Sequence, residues 1–113
     1  MDMSGLSILC LCAAWCGTCR DFQSPFDASK ALHPDARFEW IDIEDQADRV
    51  GDIEVDDFPV VVIARDDTPV FFGTLRPALS VLERAVAQAA DPSRDAAIPA
   101  DQRDLIESLL RSA

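Results

Sequence analysis

The sequence has few basic residues and no long apolar run. Ten Lys and Arg residues stand against 21 Asp and Glu residues, so the formal net charge is −11. A surface of this charge repels phosphate groups, which argues against nucleic acid and anionic membranes as partners and favours basic partner surfaces. No apolar segment approaches the roughly 20 residues that a membrane-spanning helix needs. The composition therefore predicts a soluble globular protein.

The N-terminus also lacks the features of a secretory signal. Asp2 stands where a signal peptide carries positive charge, and the apolar run after it leads directly into a cysteine motif. We therefore expect a cytoplasmic location. A chain of 113 residues is one domain by length and can build a core without a disulfide or a metal ion to hold it together.

Cysteine is absent outside one short segment. All four cysteines lie in "ILCLCAAWCGTCR", at positions Cys10, Cys12, Cys16 and Cys19. Because the cytoplasm keeps thiols reduced, such a cluster indicates catalysis or metal binding rather than a structural disulfide framework. Taken alone, the Cys16-x-x-Cys19 spacing favours a redox pair and half of a metal site about equally.

The apolar pattern predicts an α/β domain of order β-α-β-α-β-β-α with one extra helix. Strands that alternate with helices are expected to pair in parallel through right-handed crossovers, and the last two strands are expected to form a hairpin. This arrangement gives a small mixed sheet with helices on both faces. The predicted strands are 6–13, 37–44, 60–64 and 70–75, and the predicted helices are 19–31, 45–53, 77–90 and 100–111.

The motif "WCGTC" then lies where a parallel strand ends and a helix begins, a place where reactive groups gather in open α/β sheets. Residues three apart on a helix share a face, so Cys16 and Cys19 come within disulfide reach. A helix N-terminus favours the thiolate and lowers cysteine pKa values to ~3.5–7.5. We expect Cys16 to be the exposed nucleophile, Cys19 the resolving thiol, and Trp15 an apolar shield beside them.

Two further stretches identify a family resemblance. The segment "AAWCGTC", together with "DDFP" about forty residues later, resembles the thioredoxin family, and "VFFGTL" is similar to that family's last strand, with Gly73 as its glycine. The resemblance covers about residues 6–90. It implies a thioredoxin-like fold with a sheet of about four strands, and thiol–disulfide exchange through a redox-active Cys16–Cys19 disulfide without another cofactor.

The resemblance also implies a substrate surface and partners. Pro59 would follow a cis peptide bond, so that the Phe58 backbone lies beside the disulfide and pairs with a bound peptide. Trp15 and Gly73 would complete this surface. The expected partners are protein or small-molecule disulfides and a thiol or reductase as electron donor, since nothing resembles a nucleotide-binding glycine loop. A monomer is favoured over a dimer.

The sequence departs from the thioredoxin pattern at several positions. Cys10 occupies the place of a buried carboxylate, and Trp40 occupies the place of the lysine that accompanies it. Thr18 replaces a proline between the two reactive cysteines, which frees a backbone N–H and is expected to raise the reduction potential. Only about five residues precede the first strand, so the strand at 37–44 is expected at the sheet edge.

Three interpretations remain open for Cys10 and Cys12, which share one side of their strand. The favoured one makes both small, buried and inert. The second makes one of them an auxiliary thiol that exchanges disulfides with Cys19. The third makes all four cysteines ligands of zinc or an iron–sulfur cluster, and it is disfavoured because a rigid strand holds the sulfurs apart. No metal is therefore expected, and the alternative function is a binding or metal-binding module without redox catalysis.

Two regions complete the expectations. Residues 1–90 form the thioredoxin-like domain, and residues 91–113 form a linker and an amphipathic helix that packs on that domain. His33, the only histidine, lies in a loop with Pro34 and is expected to be solvated and without a partner.

Overall fold

The computed structural model describes residues 5–13, 17–51, 59–66, 68–90, 98 and 100–111. Within these ranges the predicted order of strands and helices is confirmed, although the second helix is shorter than expected. None of the helices in these ranges is long and apolar enough to cross a membrane. In chain order the elements are β1 (Leu6–Cys12), α1 (Gly17–Leu32), β2 (Arg37–Asp42), α2 (Ala47–Val50), β3 (Val60–Arg65), β4 (Thr68–Thr74), α3 (Leu79–Ala90) and α4 (Ala100–Arg111).

The four strands form one mixed sheet in the order β2-β1-β3-β4. The first two strands pair in parallel, and β3 and β4 form the expected antiparallel hairpin. The second strand lies at the sheet edge, as predicted. The expectation of parallel pairing was wrong for the third strand, because β3 runs antiparallel to β1.

The connection between β2 and β3 begins and ends at the same end of the sheet. Asp42 at the end of β2 is in register with Cys12, and Val60 at the start of β3 is in register with Leu11. The chain thus leaves β2 and enters β3 at the same end of the sheet, beside the C-terminal end of β1.

Helices cover both faces of the sheet, as predicted. The first core packs α1 and α3 against one face, and the second core packs α4 against the other. Because side chains alternate along a strand, β1 contributes to both cores. Ile8, Cys10 and Cys12 enter the first, whereas Leu9 and Leu11 enter the second. The expectation that the C-terminal helix packs on its own domain is also confirmed.

The two faces of β2 differ, as its alternation predicts. Phe38 and Trp40 pack against Phe22 and Phe26 of α1, with ring centroids 5.4 Å apart for Phe26–Phe38 and 5.5 Å apart for Phe26–Trp40. Ile41 points to the other core. Helix α1 continues through Pro25 and presents its buried aromatic side chains at a spacing of one turn. This aromatic cluster fixes α1 over β1 and β2.

The prediction that His33 is solvated and without a partner was wrong. Its Nε2 lies 2.8 Å from Oε1 of Glu83, and its side chain is 17% exposed. The buried Ser29 hydroxyl donates to Oε2 of the same carboxylate at 2.5 Å. Glu83 belongs to α3, fifty residues along the chain from His33, so no local pattern could show this contact. The carboxylate joins the end of α1 to α3.

A second carboxylate joins β2 to α2 and α4. Arg49 Nη1 donates to Glu39 Oε2 at 2.5 Å, and Arg37 Nη2 donates to Oε1 at 2.6 Å. Arg49 also donates to the carbonyl of Leu109 near the end of α4. The hydrogen bond from Arg49 lowers the pKa of Glu39, with a smaller contribution from Arg37, while partial burial opposes the shift. The ionised carboxylate therefore stabilises the fold.

We expect Glu39→Gln to lower the free energy of unfolding at pH 7 by about 1 kcal/mol, because solvent reaches this carboxylate and weakens its charge-assisted hydrogen bonds. A carboxyl whose pKa is lowered by folding contributes fully above its unfolded pKa of ~4.3, and that contribution is lost as the pH falls through the folded value. Urea unfolding at pH 7 and at pH 3.5 measures the difference. The gap between the two proteins should narrow at the lower pH, whereas Asp35→Asn, at an exposed position, should change little.

Candidate thiol–disulfide site

Four elements, β1, α1, β3 and β4, begin or end close together at one end of the strands. Cys12 ends β1, Cys19 lies in the first turn of α1, and Pro59 directly precedes β3. Gly73 of β4 is in register with Val61 of β3. The backbone N–H of Leu75, just after β4, donates to the Pro59 carbonyl at 3.3 Å. The described residues that the sequence assigns to the site therefore lie on β1, directly before β3, near the end of β4 and at the start of α1.

A disulfide joins Cys12 to Cys19, with their Cα atoms 5.8 Å apart. Both residues are 1% exposed, so the bond belongs to the core rather than to the surface. It forms because Cys12 faces the α1 side of the sheet and the first turn of α1 covers the end of β1. One sulfur takes part in one disulfide at a time. The Cys12–Cys19 bond and the predicted Cys16–Cys19 bond are therefore alternatives.

The Cys16–Cys19 pairing stays a prediction, since Cys16 lies outside the described residues. The same holds for Trp15 and Phe58, and hence for the peptide bond between Phe58 and Pro59. Thr18 is exposed in the first turn of α1, and Pro59 is buried. Gly73 is partly buried, and a side chain there would meet the Phe71 ring at an ordinary contact distance of 3.6 Å.

Cys10 is a free thiol that lies wholly within the core. Its Sγ is 3.4 Å from Sγ of Cys12, and it is 0% exposed. Burial raises the pKa of this thiol far above its usual range, because no solvent is available to stabilise the thiolate. With Cys12 in a disulfide, only Cys10 carries a proton, so the Cys10 S–H donates toward the Cys12 sulfur. Cys10 is thus a proton-bearing neighbour and not a base.

The structure separates the two cysteines that the sequence treats alike. Cys10 matches the interpretation of a small buried residue, whereas Cys12 is bonded to Cys19. The alternation along β1 places Cys12 on the α1 side, and this was the available signal for its partner. The bond itself could not be predicted, because the sequence does not show how closely the first turn of α1 lies over the end of β1.

Trp40 completes an apolar environment beneath the sulfurs. It is in register with Cys10 on the neighbouring strand, and its indole packs against Phe22 at a centroid distance of 6.5 Å. The two positions at which thioredoxins carry a carboxylate and a lysine therefore hold core side chains. Within the described ranges, no group of three His, Cys, Asp or Glu side chains is placed to hold a metal ion.

The family model for thioredoxin matches residues 2–79, which is more than half of the chain. The chain belongs to the thioredoxin family. This membership and the fold support thiol–disulfide oxidoreductase activity in general. No curated protein sequence matches the chain significantly.

Solved thioredoxin structures share the fold at low sequence identity. Thioredoxin from Fasciola hepatica is 20% identical with a TM-score of 0.68, over 76% of this chain and 82% of that one. Thioredoxin NaTrxh from Nicotiana alata is 20% identical with a TM-score of 0.68, over 78% of this chain and 76% of that one. Oxidised mitochondrial thioredoxin 3 from Saccharomyces cerevisiae is 23% identical with a TM-score of 0.65, over 74% and 77%.

We expect Cys10 to resist alkylation in the native, reduced protein. A thiol must ionise to react, and each unit by which burial raises its pKa lowers the thiolate fraction about tenfold. Iodoacetamide at pH 8 should modify Cys10 at least ~100-fold more slowly in buffer than in 8 M urea. Peptide mass mapping after timed quenching measures both rates. Comparable rates in the two solvents would show that the site opens to solvent in the folded protein.

Proposed function

We propose that this protein is a thiol–disulfide oxidoreductase in which Cys16 attacks the substrate disulfide and Cys19 resolves the mixed disulfide. The observation that supports it most is the position of Cys19, whose sulfur lies in the first turn of α1 and is engaged in a disulfide. The substrate class is protein or small-molecule disulfides, and the electrons come from another thiol or a reductase.

The reaction balances without a bound cofactor. The Cys16 thiolate attacks one sulfur of the substrate disulfide, forms a mixed disulfide and releases the first substrate thiolate. The Cys19 sulfur then attacks the Cys16 sulfur, which forms the Cys16–Cys19 disulfide and releases the second substrate thiolate. The substrate gains two electrons and the cysteine pair loses them. Two molecules of an external thiol, or one dithiol, return the pair to its reduced form.

The start of β3 supplies the proposed docking surface. The N–H of Leu75 donates to the Pro59 carbonyl, which holds the backbone before β3 against the end of β4. We propose that the Phe58 backbone pairs with an extended substrate segment, and that Trp15 and Gly73 border it. Main-chain pairing of this kind accepts many sequences, so the selection of substrates would depend on side chains around the site. The net charge of −11 favours basic substrates.

The environment of Cys19 affects the second step. Cys10, which carries a proton, stands where a carboxylate base would be, and Trp40 stands in place of the lysine beside it. Proton removal from the buried Cys19 thiol would therefore depend on hydroxide or on the departing substrate thiolate. The rate of the second step should increase with pH across the neutral range, because the attacking species is the thiolate.

We expect Cys16→Ser to lower insulin reduction by dithiothreitol at least ~100-fold, because a hydroxyl cannot form the mixed disulfide. Cys19→Ser should instead accumulate a covalent adduct with the substrate, which non-reducing gel electrophoresis detects. Asp35→Asn, at an exposed position outside the site, is the control and should keep full activity.

Two outcomes would contradict the proposal. Full activity of Cys16→Ser would exclude the nucleophile named here. A wild-type protein that reduces insulin no faster than dithiothreitol alone would favour the alternative function, a thioredoxin-fold binding module without redox catalysis.

A further inference from the structure

We propose that Cys12 is a second resolving thiol, which takes Cys19 from Cys16 and moves the disulfide into the core. The oxidised protein would then hold a Cys12–Cys19 disulfide and present Cys16 as a free thiol. This inference rests on the proposed role of Cys16 as nucleophile. It gives a role in the reaction to the Cys12–Cys19 disulfide, which the reaction of Cys16 and Cys19 alone does not use.

The backbone already brings the two sulfurs together. The Cα atoms of Cys12 and Cys19 are 5.8 Å apart, within the usual disulfide range of ~4.4–6.8 Å. Cys12 is held by strand pairing, in register with Asp42 of β2, while Cys19 is held by the packed helix α1. No element has to unfold for this bond to form. Cys19 is thus the shared sulfur of two alternative disulfides.

The exchange conserves electrons and needs no further oxidant. The Cys12 thiolate attacks the Cys19 sulfur of the Cys16–Cys19 disulfide, so that the Cys12–Cys19 bond forms and the Cys16–Cys19 bond breaks. Cys16 leaves as a thiolate, and the proton that Cys12 gives up is available to it. The only oxidant in the sequence of steps is the substrate disulfide that Cys16 attacked first.

Charge placement favours this direction. A thiolate is costly in the core, whereas a disulfide is neutral and apolar and is well accommodated there. Cys16 immediately precedes the first residue of α1, and unpaired N–H groups at a helix N-terminus favour a thiolate. A thiolate that is stabilised in this way is also a better leaving group. The exchange therefore moves negative charge from the core to the start of the helix.

Cys10 is the positioning residue for the step. Its Sγ lies 3.4 Å from Sγ of Cys12, and its S–H can donate to the Cys12 thiolate as that thiolate forms. Burial keeps Cys10 protonated, so the donor is present throughout the neutral pH range. A serine at this position would still donate a hydrogen bond, whereas an alanine would not. The pair Cys10→Ser and Cys10→Ala therefore separates hydrogen bonding from packing.

The sequence permits a direct measurement of where the disulfide lies. Cleavage after Trp15 separates Cys12 from the fragment that carries both Cys16 and Cys19. A Cys16–Cys19 disulfide stays within one fragment, whereas a Cys12–Cys19 disulfide links two. The reduced protein is oxidised with one molar equivalent of diamide and labelled with iodoacetamide under native conditions. It is then quenched in acid, unfolded in urea with excess N-ethylmaleimide to block the remaining thiols, and digested with chymotrypsin without reductant.

We expect linked fragments with the label on Cys16. In Cys12→Ser the disulfide should remain at Cys16–Cys19, and labelling of Cys16 in the oxidised protein should fall at least ~10-fold. Cys10→Ser, the conservative variant on the same face of the same strand, keeps a hydrogen-bond donor and should retain the wild-type pattern. Cys10→Ala should slow the appearance of labelled Cys16 and shift its pH profile to higher pH. A purely structural role of Cys10 would leave that profile unchanged.

The route is tested with glutathione disulfide as oxidant. In Cys16→Ser the Cys12–Cys19 bond should form at least ~10-fold more slowly than in the wild type, because the buried thiols do not reach the oxidant directly. Equal rates would overturn the relay. An oxidised wild-type protein with Cys16–Cys19 as its disulfide and no label on Cys16 would also overturn it. If the wild-type protein gave that result and still reduced insulin, the proposed function would stand. If the wild-type protein did not reduce insulin, the function itself would be rejected.

Discussion

The burial of β1 on both faces of the sheet is the constraint on which the site depends. This strand is paired on both sides, with β2 and with β3, and Ile8 through Leu11 are fully buried. Since successive side chains point to opposite faces, Leu9 and Leu11 must fill the core under α4 while Cys10 and Cys12 fill the core under α1. A slip of one residue would exchange the two sets and carry both thiols away from Cys19. The hydrophobic packing of two cores thus fixes the position of two sulfurs.

The second constraint is the docking of α1, because the position of that helix determines the position of the Cys19 sulfur. Phe22 and Phe26 pack against the aromatic side chains of β2, and Glu83 of α3 holds the far end of the helix through Ser29 and His33. They determine the distance between the start of α1 and the end of β1, and therefore which sulfur Cys19 can reach.

The sequence allowed most of the fold to be predicted, because periodicity is a local property. The alternation in "RFEWID" and the helical spacing of Leu82, Val86 and Ala89 are visible without any tertiary information. The direction of β3 was predicted wrongly, since the pattern of a strand does not show at which end of the sheet the chain enters it. The partner of His33 was missed because Glu83 comes from α3, far along the chain.

The candidate site was predictable in its residue types and less so in its bonding. The Cys-x-x-Cys motif, and the fact that Cys10 and Cys12 share one side of β1, follow from spacing alone. Whether Cys12 meets Cys19 depends on a distance between two packed elements, and that distance is a property of the whole core. The same motif could therefore accompany a different disulfide in a chain with the same pattern but a different docking of α1.

The uncharged side chains around the sulfurs, Cys10 and Trp40, determine how the core disulfide can react. External thiols attack as thiolates and need access to a sulfur, but Cys12 and Cys19 are both 1% exposed. Cys10 and Trp40 bring no charge that would draw water or an anion toward them. A disulfide in this environment is protected kinetically, whatever its equilibrium stability, since neither bond formation nor bond cleavage can begin from solvent. In the proposed chemistry, electrons therefore enter and leave the core disulfide through Cys19 and a nucleophile at the start of α1.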